Sequence, residues 1–267
     1  MSLSFTPMRI HALTFSLLIA FLPALPRQAA AQKTFEFQYT TGHADVRSGS
    51  YDPETKSFRP GWHFDSGIAP KTVYDAEDAI AIVTKTQAAP SGAMTALGVT
   101  NGTLIYIAGS SSAQPNLGFS GEDLNASDWE PVDFGGIFLP SVTATLTSWS
   151  GPGEFALYTT NKSGTTLIDL IYSSVSPSET LFNNGLELAI PDHQHFTWGF
   201  TEEGYYELEI TWSGIHQTDG PISTSAIYAF NVGGPYVIPE PSTVTLALIG
   251  LAGLGHAAFR RRRKPLT

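Results

Sequence analysis

Tyr206, Leu208, Ile210 and Trp212 are apolar, and Glu207, Glu209 and Thr211 between them are charged or polar. A period of two puts these sets on opposite faces of a β-strand, one buried and one in water. Other short runs follow the same logic. Residues 34–39 alternate, and residues 79–83 are continuously apolar, the pattern of a strand buried on both faces. Further strand-like runs fall at 103–107, 142–149, 154–158, 165–172, 186–188 and 222–232. Turn signals separate them: Asn101-Gly102, Gly151-Pro152-Gly153 and Asn183-Asn184-Gly185. Residues 110–116 read as an exposed polar loop, and 121–128 hold one short helical turn. No long segment has helical periodicity. The expectation is an all-β domain built as a single β-sandwich, Ig-like or jelly-roll-like.

Both ends of the 267-residue chain read as addressing segments. Residues 1–31 carry Arg9, then an apolar run, then Ala29-Ala30-Ala31, the pattern of a secretory signal peptide removed by signal peptidase after Sec export. Residues 244–259 are apolar and are followed at once by Arg260, Arg261, Arg262, Arg263 and Lys264. That order predicts a single transmembrane helix with a basic cytoplasmic tail, 260–267. The span is shorter than the roughly 20 residues that a typical bilayer core requires, which suits a sorting signal better than a permanent anchor. Between the ends lie a predicted ectodomain, 32–233, and a linker, 234–243.

The region between the two ends contains seven basic residues and all 24 acidic ones, a formal charge of −17. Such a surface repels nucleic acid and attracts cations. The chain has no cysteine. Disulfide scaffolds, thiolate chemistry and Cys-ligated zinc are therefore excluded, and any metal must be held by His, Asp and Glu.

Those ligand types recur at one spacing. His43-Ala44-Asp45, His63-Phe64-Asp65 and His193-Gln194-His195 each put two metal-binding side chains on one face of an extended chain. In the stretch that follows, Phe196, Trp198 and Phe200 would occupy the opposite face. Neutral imidazole with carboxylate suits zinc, at bond lengths of roughly 2.0–2.2 Å. His193 and His195 form the predicted nucleus of a zinc site. His63 is the first choice of third ligand, followed by His43, with Asp45 or Asp65 as ligand or supporting partner. His216, in 214–220, reads as part of a hairpin turn. The Glu202-Glu203 pair reads as solvated turn residues. Asp123, Asn125, Asp128 and Glu130 lack the glycine and spacing of a calcium loop. No nucleophile elbow, His-Glu-x-x-His or phosphate-binding loop is present, so a non-enzymatic role is expected. The alternative is a matrix or adhesion protein in which exposed Trp62, Trp129 or Trp198 stacks on exopolysaccharide, without metal.

Two resemblances extend this reading. Pro239-Glu240-Pro241, the apolar span and the basic cluster resemble a PEP-CTERM sorting signal. That resemblance implies recognition by an exosortase in a Gram-negative bacterium, surface sorting, and passage through a single-pass membrane form. The segments Gly42-His43-Ala44-Asp45-Val46, Gly61-Trp62-His63-Phe64-Asp65, 150–155 and 193–201 resemble the choice-of-anchor M surface domain, in particular its Zur-repressed PEP-CTERM branch. Zur repression implies expression under zinc shortage and so a role in zinc handling at the cell surface.

Overall fold

The alternating segment lies in a 13-residue strand, Gly204–His216, paired along its full length with Gly220–Val232. Gly220 closes the hairpin at φ +77°, a left-handed conformation that glycine adopts without strain. Tyr206, Leu208, Ile210 and Trp212 are buried, while the residues between them are partly exposed, as the period of two requires. The structure is a computed structural model that describes residues 33–109, 114–175 and 185–237. The predicted signal peptide, the Pro239-Glu240-Pro241 motif, the apolar span 244–259 and the basic tail lie outside the described residues. Among the described residues no helix is long and apolar enough to cross a membrane.

The described chain is nearly all β, arranged in several sheets. The first sheet runs in the order Phe37–Tyr39, Ala79–Val83, Gly220–Val232, Gly204–His216, Phe138–Ser150 and Pro131–Asp133, with Leu186–Ala189 also on Phe138–Ser150. Ala79–Val83 is buried throughout and lies parallel to both neighbours, as its apolar run predicts. The second sheet runs His193–His195, Pro115–Ser120, Gly42–Arg47, Gly61–Phe64 and Val73–Asp75. The third runs Leu167–Ser173, Phe155–Thr160, Thr197–Phe200, Leu104–Ala108 and Thr86–Ala88. Tyr51–Asp52 and Ser57–Phe58 make a separate two-stranded ribbon.

All three sheets contribute to one main core. Trp62 and Phe64 come from the second sheet, Phe155, Trp198 and Phe200 from the third, and Tyr206, Trp212, Tyr228 and Phe230 from the first. The Trp198 and Phe230 rings stand 5.3 Å apart and those of Trp62 and Phe230 5.9 Å. A smaller core lies under the short helix Ala93–Leu97 and includes Ala96, Leu97, Ile107 and Tyr158.

The sequence-based expectations fail at three places. The segment after His195 does not continue as one two-faced strand. His193–His195 pairs in the second sheet, and Thr197–Phe200 pairs in the third. Both faces of Thr197–Phe200 are covered: Trp198 and Phe200 enter the main core, and on the other side a Cβ at Gly199 would lie 3.2 Å from Leu97 Cδ1. Residues 115 and 116 are not loop but begin the strand Pro115–Ser120. Its Leu117 and Phe119 fill the core, and Gly118 between them takes the opposite face of the sheet. Finally, Trp62, Trp129 and Trp198 are at most 1% exposed, so none can stack on a sugar. Trp62 Nε1 donates to Ala76 O and Trp198 Nε1 to Leu117 O, which satisfies both indoles internally.

Trp198 thus ties the third sheet to the backbone of the second. Trp198→Ala should lower unfolding free energy by about 3–5 kcal/mol, the usual cost of removing a buried aromatic. Urea denaturation measures this; a loss below about 1 kcal/mol would contradict the packing.

Candidate metal centre

Sheet register builds the site. Across the second sheet, His195 lies opposite Gly118, Gly118 opposite Asp45, and Asp45 opposite His63. Directly opposed residues share a face, so these four positions form one transverse row. Gly118 is the gap in that row. A Cβ at Gly118 would collide with Asp45 Oδ1 and come within 3.1 Å of His195 Cε1. His43 and His193 stand two residues along their own strands from Asp45 and His195, on the same face. Glu122, just beyond the end of Pro115–Ser120, reaches this face from outside the row.

The histidine rings are close. His43 Nε2 and His195 Nε2 are 2.9 Å apart. Ring centroids are 4.7 Å apart for His43 and His195, 5.6 Å for His43 and His193, and 5.3 Å for His193 and His195. One ligand atom from each of the three histidines lies within 4.8 Å of the others, and the same holds for Asp45, His63 and Glu122. Adjacent ligand atoms of a tetrahedral zinc are separated by about 3.3 Å, so the His43–His195 separation needs little adjustment.

Two carboxylates orient the rings. His43 Nδ1 donates to Asp65 Oδ1 at 3.0 Å, and His193 Nδ1 donates to Glu122 Oε1 at 2.7 Å. A carboxylate accepts only, so in each case Nδ1 carries a proton, and in the neutral ring Nε2 keeps its lone pair. With both rings neutral, one proton is shared across the 2.9 Å contact between the two Nε2 atoms, and a cation would replace that proton.

Asp45 lies at the floor of the cluster. Its side chain is 0% exposed, and among the described residues neither carboxylate oxygen has a hydrogen-bond partner. Oδ2 is 3.7 Å from His43 Nε2 and Oδ1 is 3.9 Å from His195 Nε2. Burial pushes the Asp45 carboxyl up to about 6, although the neighbouring histidines pull the other way. Burial, reinforced by His43 and His193, lowers His195 to about 4, which keeps it in the neutral form that ligates metal. Burial also lowers His193, but the Glu122 hydrogen bond and the charges of Asp45, Glu122 and Asp192 outweigh it, and its pKa is raised. A buried carboxylate without a partner costs free energy unless a cation or proton meets it. The donor set therefore fits a borderline divalent ion such as zinc.

The comparisons with known proteins bear on the other end of the chain. Residues 237–263 match the PEP-CTERM protein-sorting motif. This PEP-CTERM motif implies an exported, exosortase-sorted protein at the surface of a Gram-negative bacterium. No curated protein and no solved structure matches the chain. PEP-CTERM sorting sets where the β domain is delivered; His43, His63, His193 and His195 lie outside the matched residues.

Each candidate residue now has a place. His43, rather than His63, groups with His193 and His195, while His63 groups with Asp45 and Glu122. Asp65, 59% exposed, supports His43 through its ring nitrogen. His216 stands apart in the long hairpin, with its ring stacked 4.3 Å from Tyr51 and 3.4 Å from Asp219. Asp123 is engaged by Arg47, and Asn125 caps the 3-10 turn Ala126–Asp128 by accepting from Ser127 N. Glu203 accepts from the Tyr106 hydroxyl.

Glu122 and Gly118 were not singled out from the sequence. Parity puts Gly118 and Ser120 on one face once Pro115–Ser120 is known to be a strand, but Glu122 lies in the turn beyond it, where strand parity no longer applies. Gly118→Ala should push Asp45 and His195 apart. Zinc affinity should fall by roughly 10-fold or more, the scale on which displaced supporting groups act. Unchanged affinity in a zinc titration would show that the gap is not part of the site.

Proposed function

We propose that this is a non-enzymatic, surface-sorted protein that binds zinc through His43, His193 and His195 over the Asp45 carboxylate. The observation that carries the reading is the grouping of three imidazoles, two of them 3.7 and 3.9 Å from a buried carboxylate that has no hydrogen-bond partner among the described residues. The acidic ectodomain would draw cations toward the site. The resemblance to the Zur-repressed branch of choice-of-anchor M domains supports zinc over other divalent ions and points to a role in zinc shortage. In this reading the three sheets form an elaborated β-sandwich, residues 244–259 span the membrane during export, and the exosortase processes the tail after Pro239-Glu240-Pro241.

The test is calorimetric titration of the purified, chelator-stripped protein with zinc, together with its melting temperature. Binding only to the native state at 100 times Kd adds about 2.7 kcal/mol. At roughly 2–4 °C per kcal/mol for a domain of this size, the midpoint should rise by about 5–10 °C. A titration without heat and a melting curve indifferent to zinc and chelator would overturn the proposal.

A further inference from the structure

We propose that Asp45, His63 and Glu122 form a second divalent-cation site that shares the Asp45 carboxylate with the histidine site, so that the centre holds two ions. This inference rests on the zinc-binding reading above and extends it.

The cluster holds more donors than one ion needs. Zinc in proteins is usually four-coordinate. His43, His193, His195 and one oxygen of Asp45 complete such a set. The second Asp45 oxygen, His63 and Glu122 then remain, and Asp45, His63 and Glu122 each offer a ligand atom within 4.8 Å of the other two. Strand register also separates the two sets. His195 and His63 occupy the two ends of one transverse row, with Gly118 and Asp45 between them. At about 4.8 Å per strand, their backbones lie roughly 14 Å apart. Two imidazoles so separated are poorly placed to meet on one ion, whereas Asp45 stands between them and can serve an ion on each side. Asp45 itself can serve two ions. Both of its oxygens are buried and neither has a hydrogen-bond partner among the described residues, so one ion would satisfy one oxygen and leave the other still seeking a cation.

The competing arrangement uses Glu122 only to orient His193 through Nδ1, as it does in the metal-free protein, and gives one ion per chain. In the two-ion arrangement Glu122 contributes its carboxylate to the second ion beside His63. A site with one nitrogen and two carboxylate donors suits zinc or manganese(II), and two ions bridged by a carboxylate are typically about 3.5–4 Å apart.

The experiment loads the purified full chain with zinc, desalts it, and counts ions by elemental analysis. Wild type should carry two per chain, and His63→Ala and Glu122→Gln one each, with circular dichroism unchanged. Glu122 is 36% exposed, so its variant provides a test even if His63→Ala fails to fold. Manganese(II) should give a spin-coupled EPR signal in wild type that is replaced by an isolated-ion spectrum in Glu122→Gln. One ion in wild type overturns the second site and leaves the histidine site standing. No ion in wild type overturns both readings. Two ions retained in both variants overturn the ligand assignment.

Discussion

His43→Ala should lower zinc affinity by more than about 100-fold, and His195→Ala should do the same. Loss of an outer partner that merely orients a ligand costs roughly 10–100-fold, and these changes remove the ligand itself. They should also outrank His193→Ala. His43 and His195 present their Nε2 atoms to each other at 2.9 Å, and both lie near the Asp45 oxygens, at 3.7 and 3.9 Å. His193 is more exposed and is held from the side by Glu122. Asp65→Asn provides the graded control. It weakens the acceptor for His43 Nδ1–H without touching the ligand atom, so affinity should fall by only about 10-fold. A competition titration against a chromophoric chelator ranks the four variants. If Asp65→Asn proved as damaging as His43→Ala, or if His43→Ala were silent, the histidine triad would not be the site.

The contrast between these residues shows what the sequence could reveal. Three pairs at a spacing of two are visible in a cysteine-free chain, and the period of a strand places each pair on one face. Which pairs meet depends on strand order, and strand order has no local signature. The strand that joins His193–His195 to Gly42–Arg47 is Pro115–Ser120. It begins with proline, has glycine at its centre, and reads locally as turn and loop. Its contribution is the absence of a side chain at Gly118, and an absence has no pattern to detect. The aromatic segment fails for a related reason. Phe196, Trp198 and Phe200 alternate as a wet-edged strand would, but Gly199 admits Leu97 from the other side, and the segment leaves the histidine sheet to become an interior strand of another. The Tyr206–Trp212 alternation succeeded because its hairpin is local and its polar face does stay partly in water.

Asp45→Asn should stabilise the metal-free protein and abolish its response to zinc. The sign follows from the direction of the shift. Burial raises Asp45 from 3.8 to about 6, so the fold favours the protonated acid. That contribution is complete below pH 3.8 and is lost as pH rises through about 6. At pH 7 the ionised carboxylate therefore burdens the metal-free fold, by at most about 3 kcal/mol for a shift of this size. An amide carries no charge to desolvate, though any unpaired amide group costs about 1 kcal/mol or more. The net gain should be roughly 1–2 kcal/mol, or about 3–6 °C in melting temperature. His195 acts in the opposite sense. With its pKa lowered from 6.5 to about 4, it supports the fold above pH 6.5 and withdraws that support as pH falls through about 4. Because both proteins keep His195, comparing them at each pH isolates Asp45 as far as the two groups titrate independently. The variant should melt higher than wild type above pH 6, and the difference should vanish below about pH 4. Zinc should then reverse the order, raising wild type past a variant that no longer responds. A destabilised Asp45→Asn that still binds zinc would show that the buried carboxylate serves the fold and not the ion.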